Sequence, residues 1–137
     1  HLVSGTILEN DKILRQWFST EEIQIMKEAV EDHRASSNHE PRSIYGKIIA
    51  EADRVIDPEI TLRRTVQYGL KQNPSGSKEW HYERFLNHLL SKYAEGGYLK
   101  LWFENSKNGE RLKELRALIN NRKQLRETFD RMFMEEK

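Results

Sequence analysis

Two side chains suited to metal or phosphate chemistry lie in the segment EDHRASSNHEPRSIYGKIIAEADRVID, residues 31–57. His33 ends one apolar helical face, and Asp53 lies near the end of the next. Imidazole and carboxylate groups bind the divalent metals that activate water for attack on phosphate. The structural alternative is a hydrogen-bonded core histidine and a helix-terminal aspartate paired with Arg54 or Arg63. Spacing alone leaves both interpretations open.

The helix predicted between Ser43 and Ile56 carries two small residues on the side of Asp53. Gly46, Ala50 and Asp53 stand at i, i+4 and i+7, so they share one flank. Small side chains let another helix approach closely. We therefore expect the Asp53 carboxylate to face protein rather than water. A broad apolar arc covers much of the same helix: Ile44, Tyr45, Ile48, Ile49, Ala52 and Val55.

Helical periodicity continues along nearly the whole chain, and no segment alternates with the period of a strand. This pattern predicts an all-α protein, with a single domain over residues 1–137 and about six to eight helices. The run STEE, residues 19–22, has the form of a capping box, and Ser43 and Pro58 suit helix starts. One long helix is predicted at the end, from about 110 to 134.

The composition excludes several classes of protein. Lys plus Arg number 23 and Asp plus Glu number 22, so the net charge of +1 gives no reason to expect a nucleic acid partner. With no cysteine, disulfides and thiolate metal sites are excluded. No segment approaches the roughly 18 apolar residues of a membrane span, so we expect no membrane partner and a cytoplasmic location.

Motifs that are local in sequence are absent. The chain contains no G-x-S-x-G, no Gly-rich phosphate loop and no H-E-x-x-H, so any site must be assembled from distant residues. His39 is interpreted as solvated, and His81 and His88 as structural residues at a helix edge. The tryptophans are assigned to a core or a lid: Trp17, Trp80 and Trp102.

Three segments resemble the HD-domain phosphohydrolase superfamily. AEADRVID, residues 50–57, is similar to the segment that carries its closing metal-binding aspartate. IMKEAVEDHR, residues 25–34, resembles the preceding helix, which ends in histidine. HLVSGTIL, residues 1–8, resembles the earlier H-x3-G-x2-I-L segment. The three occur in the family's order, and the resemblance covers about residues 1–70.

The resemblance implies a helical fold around one or two divalent metal ions, drawn from Mn, Fe, Co, Mg, Ni and Zn. A metal-bound water would attack a phosphate ester in a small phosphorylated substrate or a nucleotide. Asp53 matches the closing metal ligand, and His33 and His1 match the further histidines. Three cations close to these motifs are assigned to the substrate phosphate: Arg34, Lys47 and Arg54.

The chain departs from the family in one respect: none of its five histidines is followed by aspartate, so the defining His-Asp dyad is missing. We expect an HD domain that is incomplete at its N-terminus, poor at binding metal alone, and prone to self-association. The alternative function is a non-catalytic helical interaction or regulatory module that retains the HD fold. An unrelated helical bundle is the third interpretation.

Overall fold

The computed structural model describes residues 2–37, 39–103 and 105–137, and all regular structure in them is helical. This confirms the predicted all-α class. The described residues form seven α-helices and a short 3-10 helix at Leu14–Gln16. The α-helices are α1 (Leu2–Asn10), α2 (Thr20–Asp32), α3 (Ile44–Ala52), α4 (Pro58–Gln72), α5 (Lys78–Lys92), α6 (Lys107–Asn120) and α7 (Arg122–Glu136).

The chain divides into two compact units. The first contains α1 to α3 and consists of His1–Arg54 with Lys100–Phe103. The second contains α4 to α7 and consists of Val55–Leu99 with Glu104–Lys137. In the part of the chain that the structure describes, no helix combines the length and apolarity needed to cross a bilayer.

In the first unit, α1 and α2 run antiparallel. Lys27 Nζ lies 2.8 Å from Glu9 Oε2, and one turn away Gly5 lies against Glu31. The capping box that starts α2 is confirmed, because Ser19 Oγ accepts the Glu22 backbone N–H and Glu22 accepts that of Ser19.

The small residues of α3 pack closely against their surroundings, as predicted. Gly46 and Ala50 are buried, and a side chain at position 46 would meet Pro41 and the backbone of Ala29. Ser43 caps the helix by accepting the Gly46 backbone N–H at 3.1 Å. The predicted end at Ile56 is wrong, because α3 ends at Ala52 and Asp53 is its C-cap.

The second unit is built around aromatic side chains. Phe85 packs against Phe129 with ring centroids 5.1 Å apart, and Phe129 packs against Phe133 at 5.5 Å. Pro58 begins α4 as predicted, with Asp57 as its N-cap. The prediction of a single final helix is wrong, because the helix is interrupted at Asn121. That residue is both the C-cap of α6 and the N-cap of α7.

Candidate functional site

One flank of α3 continues into a group of polar side chains. Lys47 and Glu51 lie one turn apart on the helix, and Arg54 follows just past its end. Arg54 is only 9% exposed, and Glu51 is also buried. Short helical spacing therefore places two cations and a carboxylate on the same side of the helix.

The second segment that contributes to the site is Lys100–Phe103, which belongs to the same unit as α3. The Trp102 backbone N–H donates a hydrogen bond to Glu51 Oε2 at 3.0 Å. Lys47 Nζ lies 5.8 Å from the centre of the Trp102 ring, within the range of a cation–π contact, and also pairs with Glu40. We call Lys47, Glu51, Arg54 and Trp102 the Arg54 cluster.

Three N–H groups in the Arg54 cluster are buried without an acceptor among the described residues. They are Nε and Nη1 of Arg54 and Nε1 of Trp102. A buried donor with no acceptor costs about 1–3 kcal/mol, and more when it is charged. Native proteins rarely leave such groups unpaired, so each one requires an explanation.

The positive charge of Arg54 is only partly compensated by the carboxylates near it. Burial lowers the pKa of Arg54, more than the neighbouring carboxylates of Glu51 and Asp53 raise it. A guanidinium nevertheless stays protonated in proteins. The site therefore holds a permanent, buried positive charge whose fork geometry matches the oxygens of a phosphate or a carboxylate.

The other residues assigned to phosphate and metal lie elsewhere. Asp53 is exposed to solvent, so the expectation that its carboxylate faces protein is wrong. The reason is the early end of α3: the chain leaves the helix at Asp53, and the next side chain, Arg54, is the buried one. Arg34 is exposed, just past the end of α2.

His33 is half-buried and forms the C-cap of α2. Its Nδ1 lies 2.6 Å from the Val30 carbonyl oxygen, so Nδ1 carries the proton that it donates. In the neutral ring Nε2 then bears the lone pair, as in histidines oriented for metal binding. His1, the remaining predicted metal ligand, lies outside the described residues.

A second polar cluster at the end of α2 is closed by its own ion pairs. The Asp32 side chain is 1% exposed, and the Arg42 guanidinium contacts it at 2.9 Å and Glu31 at 2.7 Å. Burial raises the pKa of Asp32, but the hydrogen bonds from Arg42 outweigh it and hold that pKa below its usual value. This arrangement is a structural ion pair between a buried carboxylate and a partly exposed guanidinium.

The predicted metal site is not assembled by the residues that the structure describes. Among residues 2–37, 39–103 and 105–137, no three His, Asp or Glu side chains come together in a way that could hold a metal ion. Asp53 and His33 are the C-caps of two different helices. The described residues do not form a metal centre by themselves.

Sequence reasoning assigned Lys47 and Arg54 to the substrate phosphate, which stays a prediction. It did not select Glu51 and Trp102, which the structure places with them in the Arg54 cluster. Glu51 stands four residues after Lys47, so helical spacing alone could have placed it on the same side. Trp102 carried no such signal, because the hydrogen bond to Glu51 spans 51 positions of sequence.

Comparison with known proteins yields no match to a family model, to a curated protein or to a solved structure.

Proposed function

We propose that this chain binds a small phosphorylated molecule at the Arg54 cluster and belongs to a phosphohydrolase of the HD type. The observation that carries the proposal is the buried Arg54 guanidinium, whose Nε and Nη1 have no acceptor among the described residues. The Trp102 indole N–H of the same cluster has none there either. A phosphate group offers several anionic oxygens to such donors, and charge-assisted hydrogen bonds are the strong ones.

The choice of phosphate rests on the cations and on the resemblance together. Lys47 adds a second positive charge on the same flank as Arg54. The buried Glu51 carboxylate accepts the Trp102 backbone N–H, which holds the tryptophan segment beside α3. Phosphate esters are also the substrate class implied by the three HD-like segments. Hydrolysis by a metal-bound water stays a prediction that depends on Asp53, His33 and His1. A cytoplasmic location also stays a prediction.

Binding is tested by titrating the chain with inorganic phosphate and with a simple phosphate monoester in a calorimeter. Arg54→Met removes the guanidinium while keeping an unbranched side chain, and Trp102→Phe removes only the indole N–H. Loss of a charge-assisted hydrogen bond costs about 1.5–3 kcal/mol, so we expect Arg54→Met to weaken binding more than tenfold. Trp102→Phe should weaken it by a smaller factor.

Arg34→Gln is the matched control, because it removes an exposed cation from the same unit. It should leave the affinity for phosphate unchanged. Equal binding by the parent chain and Arg54→Met, or an equal loss in Arg34→Gln, would contradict a site at the Arg54 cluster. So would the absence of phosphate binding to the parent chain.

The hydrolase and its alternative are separated by metal content. If the protein is a metal-dependent phosphohydrolase, the full gene product should contain a stoichiometric transition metal that Asp53→Ala loses. A non-catalytic module would bind phosphate without metal. The module interpretation has separate support from the apolar side chains that the first unit exposes, among them Ile48 and Ile49 of α3.

A further inference from the structure

An apolar groove opens between the helices of the first unit. It encloses about 530 Å³. Its walls come from α1, α2 and α3 and from the turn before α2, and include Leu8, Phe18, Ile25, Met26, Tyr45 and Ile48. Glu22 is the one charged residue among the described residues that line the groove. Its Oε2 accepts a hydrogen bond from the Ser19 backbone N–H at 2.7 Å.

Large side chains stand exposed beside this groove. Trp17 is 76% exposed and immediately precedes Phe18, which lines the groove. Ile13 is also exposed in the turn that leads to α2. The surface thus carries a protruding indole next to an apolar recess with room for a ring of that size. The residues that carry most of the binding energy of protein interfaces are enriched in Trp, Tyr and Arg, and they lie in well-packed pockets.

We propose that the groove and Trp17 form the interface of a homodimer, in which the Trp17 of each copy inserts into the groove of the other. A twofold axis requires a surface that is complementary to itself, and adjacent protrusion and recess on one patch satisfy that requirement. Because Glu22 is the groove's one charged lining residue, two facing copies bring few like charges together.

The apolar area exposed at the groove is close to what a stable dimer needs. The large apolar side chains of the groove and of the turn beside it each show between 36% and 76% of their surface. Taking about 200 Å² for a fully exposed large side chain, they offer roughly 700 Å² of apolar surface. A standard interface buries about 800 Å² on each partner, including its polar rim. The residues are Ile13, Trp17, Phe18, Ile25, Tyr45, Ile48 and Ile49.

The test is sedimentation equilibrium of the chain over a wide range of concentration. We expect a dimer of twice the 16.3 kDa chain mass. Trp17→Glu and Ile48→Glu place a charge on the protrusion and in the recess. Each should raise the dimer dissociation constant at least tenfold. Both residues are exposed, so circular dichroism should show unchanged helix content.

Met134→Glu is the control, since Met134 is 71% exposed in the second unit. It should leave the dimer intact. A monomer at all concentrations, undefined higher aggregates, or a dimer that the Trp17 and Ile48 variants leave unchanged would each overturn the proposal. The inference does not rest on phosphate binding: Arg54→Met should bind phosphate poorly yet retain the dimer mass.

Discussion

At the scale of single residues, removing one or the other partner of the Asp32–Arg42 ion pair should change the stability of the fold by unequal amounts. Asp32 is buried and Arg42 is 43% exposed in its side chain. We expect Arg42→Ala to destabilise the fold by about 3 kcal/mol, because it leaves the buried Asp32 carboxylate without its paired cation. Asp32→Asn should cost about 1 kcal/mol, since Arg42 can turn to water. Urea unfolding at neutral pH measures both, and equal losses would contradict the assignment.

His81 is a buried imidazole in the second unit. Neither of its ring nitrogens makes a hydrogen bond of good geometry to the described residues, and the ring packs against Trp80 and Phe133. Burial lowers the pKa of His81, and the positive charges of Arg84 and Lys137 act in the same direction, whereas the Asn73 backbone opposes them.

This lowered pKa makes stability depend on pH in a definite direction. The unfolded chain binds a proton at His81 near pH 6.5, the folded chain only at lower pH. Stability is therefore fully present above pH 6.5 and falls as the pH drops below it, by at most about 1.4 kcal/mol per pH unit. His81→Leu should flatten this dependence between pH 7 and 5 in urea unfolding. An equally steep loss in the variant would assign the effect to other groups.

At the scale of helices, the contact between α2 and α3 depends on Gly46. A Cβ at this position would lie 3.0 Å from Pro41 Cβ and 3.7 Å from Ala29 Cα. Alanine gains about 1 kcal/mol in helix propensity, but overpacking costs about 1–3 kcal/mol. We expect Gly46→Ala to be destabilising overall by about 1 kcal/mol in chemical denaturation.

Gly5→Ala in α1 is a second case of close approach. The Cβ of residue 5 would lie 2.7 Å from Glu31 Oε1 and 2.8 Å from Glu31 Cγ, and Glu31 also pairs with Arg42. Glu31 must therefore shift and weaken its contact with Arg42, so we expect this substitution also to cost about 1 kcal/mol in chemical denaturation. A Gly46→Ala or Gly5→Ala variant as stable as the parent chain would contradict close packing at that glycine.

Helix starts were predictable because their signals are local. Ser19, Ser43 and Pro58 each mark a beginning through groups within a few residues. Helix ends were less predictable. The break at Asn121 has no Gly or Pro, although Asn121 Oδ1 accepts the Gln124 backbone N–H, a capping pattern visible in the sequence. The Arg54 cluster was only half predictable, because Trp102 reaches α3 through tertiary packing.

At the scale of the whole molecule, the buried apolar side chains are unevenly distributed. Among the described residues, the first unit contributes Ile23, Ala29 and Ala50, and all the others belong to the second unit. Side chains such as Phe85 and Phe129 are completely buried there. Since burial of apolar surface is the main favourable term in folding, the two units should differ in local stability.

Native-state hydrogen exchange should reveal this difference and connect it to the proposed site. We expect the amides of α5 and α7 to exchange slowly, at rates set by global unfolding, and those of α1 and α3 to exchange faster. A ligand that binds only the folded first unit stabilises it by mass action, by about 2.7 kcal/mol at a hundred times its dissociation constant. Phosphate should therefore slow exchange in α3 of the parent chain and leave Arg54→Met unaffected. Uniform protection without phosphate would contradict the uneven stability, and slowing confined to α5 and α7 would place phosphate away from Arg54.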